Sequence, residues 1–140
     1  MRIVLLTAAA AIGLAAPVAA AESSANPMDL CKGRMENFRI STITAKGNMA
    51  GFLKAAADHE AWFKAHGYTG DTFGVAREFA YDREKKTFSL SEKEVVTVHI
   101  NPSQVPPEKQ DEAYKAFVKE YRDNSDITTE KFLCTPGPAK

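Results

Sequence analysis

The chain has 140 residues, 44% of them hydrophobic and 26% charged, with eight Phe, four Tyr and one Trp. That composition excludes a disordered, collagen-like or low-complexity polypeptide and leaves room for one globular domain. Eighteen basic side chains balance eighteen acidic ones, so charge gives no reason to expect binding to nucleic acid or to an anionic membrane.

Residues 1–21 read as a cleavable export signal. Met1-Arg2 carries a positive charge, Ile3 to Ala16 is apolar or small throughout, and Pro17 precedes the small residues Val18-Ala19-Ala20-Ala21. The apolar run falls short of the ~20 residues that a spanning helix needs. Cleavage would remove Arg2 alone among the charged residues and leave the chain at −1, 17 basic against 18 acidic. Export implies an oxidising compartment, periplasmic or extracellular. There, two cysteines that reach both ends of the domain read as a disulfide, Cys31 to Cys134. In the chain-entropy account, closing so long a loop stabilises by roughly 4–5 kcal/mol. Two lone thiols are too few for zinc and lack the close spacing of a redox pair.

Residues 22–35 form a polar leader. From Met35 the chain alternates as a strand, with Phe38, Ile40, Thr42 and Thr44 on one face and Arg39, Ser41, Ile43 and Ala45 on the other. Gly47-Asn48 stops it, and Asn48 is placed to cap a helix. Met49, Phe52, Ala56, His59, Phe63 and His66 recur at helical steps, which predicts a helix over 49–66. Gly67 suits the left-handed residue past its end, with Tyr68 closing over Phe63 as in a Schellman motif.

Thr72 to Tyr81 alternates again, with Phe73, Val75, Phe79 and Tyr81 in phase and Arg77 interrupting them. A charged turn at 82–86 leads into a strand over 87–100, with Phe88, Leu90, Val96, Val98 and Ile100 in phase, completing a long hairpin. Three prolines make 101–107 a loop. Pro107 and Glu108 suit the first turn of a second helix, which runs to about Arg122 and buries Ala113, Tyr114, Phe117, Val118 and Tyr121. After a turn at 123–126, Ile127 to Cys134 is a last strand, and 135–140 is a tail. The order βαββαβ is that of an α+β ferredoxin-like domain over 36–134, a four-stranded sheet with both helices on one face. That topology sets the first and last strands side by side and antiparallel, which also brings Cys31 toward Cys134.

With the segments HEAWFKAHGYTG (59–70) and YDREKKTF (81–88), this arrangement resembles the dimeric α+β barrel superfamily, nearest its NIPSNAP-like and antibiotic-monooxygenase-like branches. The resemblance implies a homodimer whose sheets face each other with the helices outside. It also implies a small apolar or aromatic ligand, which some members oxidise, and no separate cofactor. Asn37, Trp62 and His66 match by type the Asn, Trp and His that the haem-degrading branch uses.

His59, Trp62 and His66 share one side of the first helix. They fit either a ligand pocket with an imidazole proton shuttle, or core packing with His66 at the helix end. Metal binding by the two histidines alone is disfavoured, since seven helical residues separate them by ~10.5 Å. Arg39, early in the first strand, should approach His99, late in the third. That pair would bind an acidic ligand group or simply face solvent or a partner. Glu78 is expected on the same face as His99, too distant to join it. Arg77 on an outer strand reads either as a ligand contact or as an inward charge that guards the sheet edge. The loop 101–107 either covers a pocket or is a rigid connection, and Ser103 has no partner for nucleophilic chemistry. The uncovered sheet face is expected to comprise Ser41, Ile43, Ala45, Gly74, Ala76, Ala80, Val95 and Thr97, and to form the dimer interface. The candidate ligand-binding residues are therefore His59, Trp62, His66, His99, Arg39 and Arg77. Three functions follow: an exported small-molecule-binding or accessory protein, a cofactor-independent monooxygenase or isomerase, or a structural protein without ligand.

Overall fold

The computed structural model describes residues 26–137, so the export signal expected at 1–21 lies outside the described residues. A single helical turn, α1 (Pro27–Leu30), interrupts the leader, its first turn capped by the Asn26 side chain. Then come β1 (Arg34–Ile43), α2 (Met49–Ala65), β2 (Thr72–Asp82), β3 (Thr87–Ile100), α3 (Glu112–Asn124) and β4 (Ser125–Thr135). All strand pairs are antiparallel, in the order β2-β3-β1-β4. This is the ferredoxin-like arrangement, with α2 and α3 packed together over one face of the sheet.

Local chemistry sets the helix boundaries. The Asn48 side chain accepts from Gly51 N at 2.8 Å and starts α2. At the other end Gly67 takes φ +79°, Tyr68 N donates to Phe63 O at 3.0 Å, and the Tyr68 and Phe63 rings lie 5.1 Å apart. That is the Schellman ending expected from the sequence. The second helix starts later than expected. Pro107–Lys109 is a separate 3-10 turn, and Asp111 begins α3 by accepting from Tyr114 N at 2.8 Å. A short acceptor followed by a free helical run outcompetes a proline as the starting point. The turn expected at 123–126 is absent, because α3 passes directly into β4.

Cys31 and Cys134 form the disulfide, joining the chain just before β1 to the end of β4. Two adjacent core clusters lie between helices and sheet. Met49, Phe52 and Val95 form one, with Ile43 against it; Trp62, Phe63 and Phe117 form the other; and Tyr121 packs on both.

The expected phase of the sheet needs correcting. The sequence places Ser41, Val95 and Thr97 on the uncovered face, yet all three are buried beneath the helices, Val95 completely. Registry explains it. Ser41 pairs with Val95, Arg39 with Thr97, and Asn37 with His99, so these residues share the covered face. On β2 the partners of His99, Thr97 and Val95 are Phe73, Val75 and Arg77, which leaves Gly74, Ala76 and Glu78 on the opposite side. The expected interface thus mixed two faces, Glu78 does not share the side of His99, and Ala45 falls beyond the end of β1. The uncovered face carries Phe38, Ile40, Val96, Val98 and Ile100, the more apolar set. Alternation reveals two faces but not which one the helices cover.

The in-phase run expected from Phe88 to Ile100 is also broken. Between the Arg77–Val95 and Phe79–Leu90 pairs β3 contains three extra residues, and an odd slip reverses the side each residue faces. Beyond it the hairpin projects past the end of β1 and exposes Phe79, Tyr81, Phe88 and Leu90.

Candidate ligand site

The covered face of β1 and β3 is polar for a face beneath two helices, and the helices do not fill it. A cavity of about 410 Å³ opens between α3, β1 and β4, with aromatic walls from Phe63, Tyr114, Phe117, Tyr121 and Phe132. Asn37, Arg39, His59 and His99 contribute its polar atoms. Pro102 and Ser103 close one end, and Pro27 and Met28 of α1 border it. The loop 101–107 is thus both cover and anchor. Ser103 N donates to both oxygens of the buried Asp71 carboxylate, at 2.9 and 3.0 Å, and Gln110 Nε2 holds Val105 O at 2.9 Å.

His59 and His99 meet edge to face, their ring centres 5.1 Å apart. His59 also stacks on Phe117 and packs on Phe63 and Phe73. Its Nδ1 lies 3.4 Å from the Tyr121 hydroxyl. The pair forms a partition, because the same two imidazoles line a second cavity of about 230 Å³ toward Tyr68 and Asp71. His99 Nε2 is buried and has no hydrogen-bond partner among the described residues; Asp71 Oδ1 is 3.9 Å away. Burial holds His59 at about 3, helped by His99 and Arg39. His99 is also lowered, chiefly by burial, with Asp71 opposing and Arg39 assisting. Both rings are therefore neutral at physiological pH.

Arg39 lies diagonal to His99 and directly opposite Thr97. Its Nε and Nη2 both reach Glu130 Oε1 at 2.7 Å, and Asn37 Nδ2 donates to the same oxygen at 3.0 Å. The Asn37 bond is the main reason the Glu130 carboxyl sits below its ordinary range, with Arg39 adding to it.

The structure therefore brings His59, His99 and Arg39 together and adds Asn37. It sets Trp62 and His66 apart from that cavity. Their rings stack at 3.9 Å, Trp62 Nε1 donates to Asp111 Oδ1 at 2.9 Å, and His66 Nε2 lies 3.4 Å from Asp111 Oδ2. These contacts clamp the end of α2 to the start of α3. Arg77 is remote too. Its Nη2 donates to Ser91 O at 2.8 Å and Glu92 Oε1 at 2.6 Å, tying edge strand β2 to the kink in β3. Sequence reading missed Tyr114, Phe117, Tyr121 and Phe132 as cavity walls. The three helical residues look like core at helical spacing, and Phe132 gains its position only from the β1–β4 register. Among the described residues no cluster of three or more His, Cys, Asp or Glu side chains is arranged to hold a metal ion.

No protein-family model matches the sequence, and no curated protein does. Among solved structures the chain is similar to SnoaB, a cofactor-independent oxygenase from Streptomyces nogalater. The identity is 11% and the TM-score 0.43, over 75% of this chain and 95% of that one. A likeness of that size carries no functional argument.

Proposed function

We propose that this is an exported homodimeric protein of the dimeric α+β barrel type that binds a small apolar or aromatic molecule between its helices and its sheet. The aromatic-walled cavity of about 410 Å³, with Arg39, Asn37 and two neutral imidazoles at its polar end, carries this proposal. A mostly apolar hollow with a few convergent polar groups is the usual form of a small-molecule site. The Cys31–Cys134 disulfide supports export, and the apolar uncovered face of the sheet supports pairing with a second copy.

Binding is favoured over turnover by these imidazoles. A general base works best when its proton affinity matches the ambient pH, and His59 at about 3 is far too weakly basic for that. Native mass spectrometry of the protein exported by its own host tests the proposal. The expected result is a dimer carrying a reproducible extra mass of a few hundred daltons or less, lost from a Phe117→Trp variant that fills the cavity. An empty protein whose cavity also takes up no aromatic probe would defeat it.

A further inference from the structure

A third hollow extends the site. A cavity of about 240 Å³ adjoins the aromatic one, and Arg39 and Tyr121 line both. Its floor is unlike the aromatic walls next to it. Ser41 and Thr97, from neighbouring strands, are 4% and 9% exposed, and the hydroxyl of neither makes a hydrogen bond to any described residue. Neither hydroxyl is sealed off, since the buried side-chain atoms without a partner among the described residues are Arg77 Nε and His99 Nε2; both hydroxyls line the hollow, where they are free to donate to an occupant that accepts hydrogen bonds. Arg39 stands beside them. Its contact with Glu130 engages Nε and Nη2 with a single carboxylate oxygen, and donors of the guanidinium remain. Arg122 borders the same hollow with no ion pair among the described residues.

We propose that the ligand is an aromatic carboxylic acid, its ring held among Phe63, Phe117 and Tyr114 and its carboxylate in this third hollow, on Ser41, Thr97 and Arg39. This rests on the aromatic-cavity proposal and gives it a chemical class. Donors outnumber acceptors around the hollow, and a carboxylate offers about four acceptor positions where an alcohol or an amide offers fewer. One lining group opposes it: Asp126, at the exposed rim. The charges of Arg39, Arg122, Glu130 and Asp126 cancel, so recognition depends on where the donors lie, and removing Asp126's charge should strengthen it.

Isothermal titration calorimetry on the disulfide-intact protein, with ω-phenylalkanoates of two to six carbons and the matching primary amides, provides the test. The expected result is an acid bound at least tenfold more tightly than its amide. That preference should fall severalfold in Ser41→Ala/Thr97→Val and rise severalfold in Asp126→Asn, whose exposed site makes misfolding no obstacle. Equal binding of acid and amide, unaffected by these substitutions, overturns the carboxylate assignment and leaves the aromatic cavity standing. If neither probe class binds at any chain length, both assignments fall.

Discussion

A buried imidazole that stays neutral makes stability depend on pH in a definite direction. In the unfolded chain His59 takes up a proton as pH drops through ~6.5; in the folded protein it resists until about 3, because burial comes first and His99 and Arg39 add to it. Over that window the unfolded state binds more protons. The contribution is therefore complete above ~6.5 and is lost as pH falls toward the folded value, at ~1.4 kcal/mol per pH unit for each such group. His99, lowered by burial, works in the same sense. Replacing His59 by Phe keeps an aromatic ring against Phe73 and Phe117 and removes one titrating site. Urea midpoints between pH 7 and pH 4 should then decline about one proton less steeply for His59→Phe than for the parent. Parallel curves would mean that the folded protein protonates His59 as readily as the unfolded chain. Asp111 makes a second single-residue case, since one carboxylate caps α3 and also accepts from Trp62. Asp111→Ser should retain the cap and lose the tryptophan contact, and Asp111→Ala should lose both. Thermal unfolding should accordingly rank parent above Ser above Ala.

Single helices and strands separate what was legible in the sequence from what was not. The ends of α2 were, because capping is local: Asn48 and Gly67 act within a few residues of where they stand. A Cβ at Gly67 would meet nothing within 4 Å, so the cost of Gly67→Ala comes from its φ of +79° alone. The expected loss is about 1 kcal/mol, read from denaturant unfolding. Gly47 offers the contrast. A Cβ there would lie 2.2 Å from the Asn124 carbonyl oxygen, which already accepts from Thr44 N, so Gly47→Ala should destabilise far more despite the same added methyl. That proximity joins residues 77 positions apart and has no local signature. Sheet phase was hidden for the same reason. Period two shows that Ser41 and Ile43 share a side, but only the pairing of Ser41 with Val95 and the packing of Val95 under Met49 and Phe52 show which side is covered. Choosing by apolarity fails in a protein that places its polar face under the helices. That inversion is also why the site was half visible. His59, His99 and Arg39 stood out as chemistry, while the aromatic walls passed for ordinary core.

At the scale of the whole molecule, one consequence of the inverted sheet is a large unsatisfied surface. Phe38, Ile40, Val96, Val98 and Ile100 lie on the side without helices, across the two central strands β1 and β3. Gly74 and Ala76 on β2 extend the same side with little bulk, which permits a partner to approach closely. A stable homodimer commonly buries ~800 Å² per partner, and the uncovered side of a four-stranded sheet is of that order. Val98 marks the middle, paired with Phe38 on one side and Gly74 on the other. A carboxylate there would be desolvated without a partner in the dimer and hydrated in the monomer. Val98→Glu should therefore sediment at half the parent's mass at tens of micromolar, with an unchanged far-UV spectrum and an intact Cys31–Cys134 bond. The parent itself should be dimeric at that concentration. A monomeric parent would refute pairing through this face, whereas a dimeric parent with an equally dimeric Val98→Glu would place the interface elsewhere, on the projecting hairpin or the exposed edge of β4.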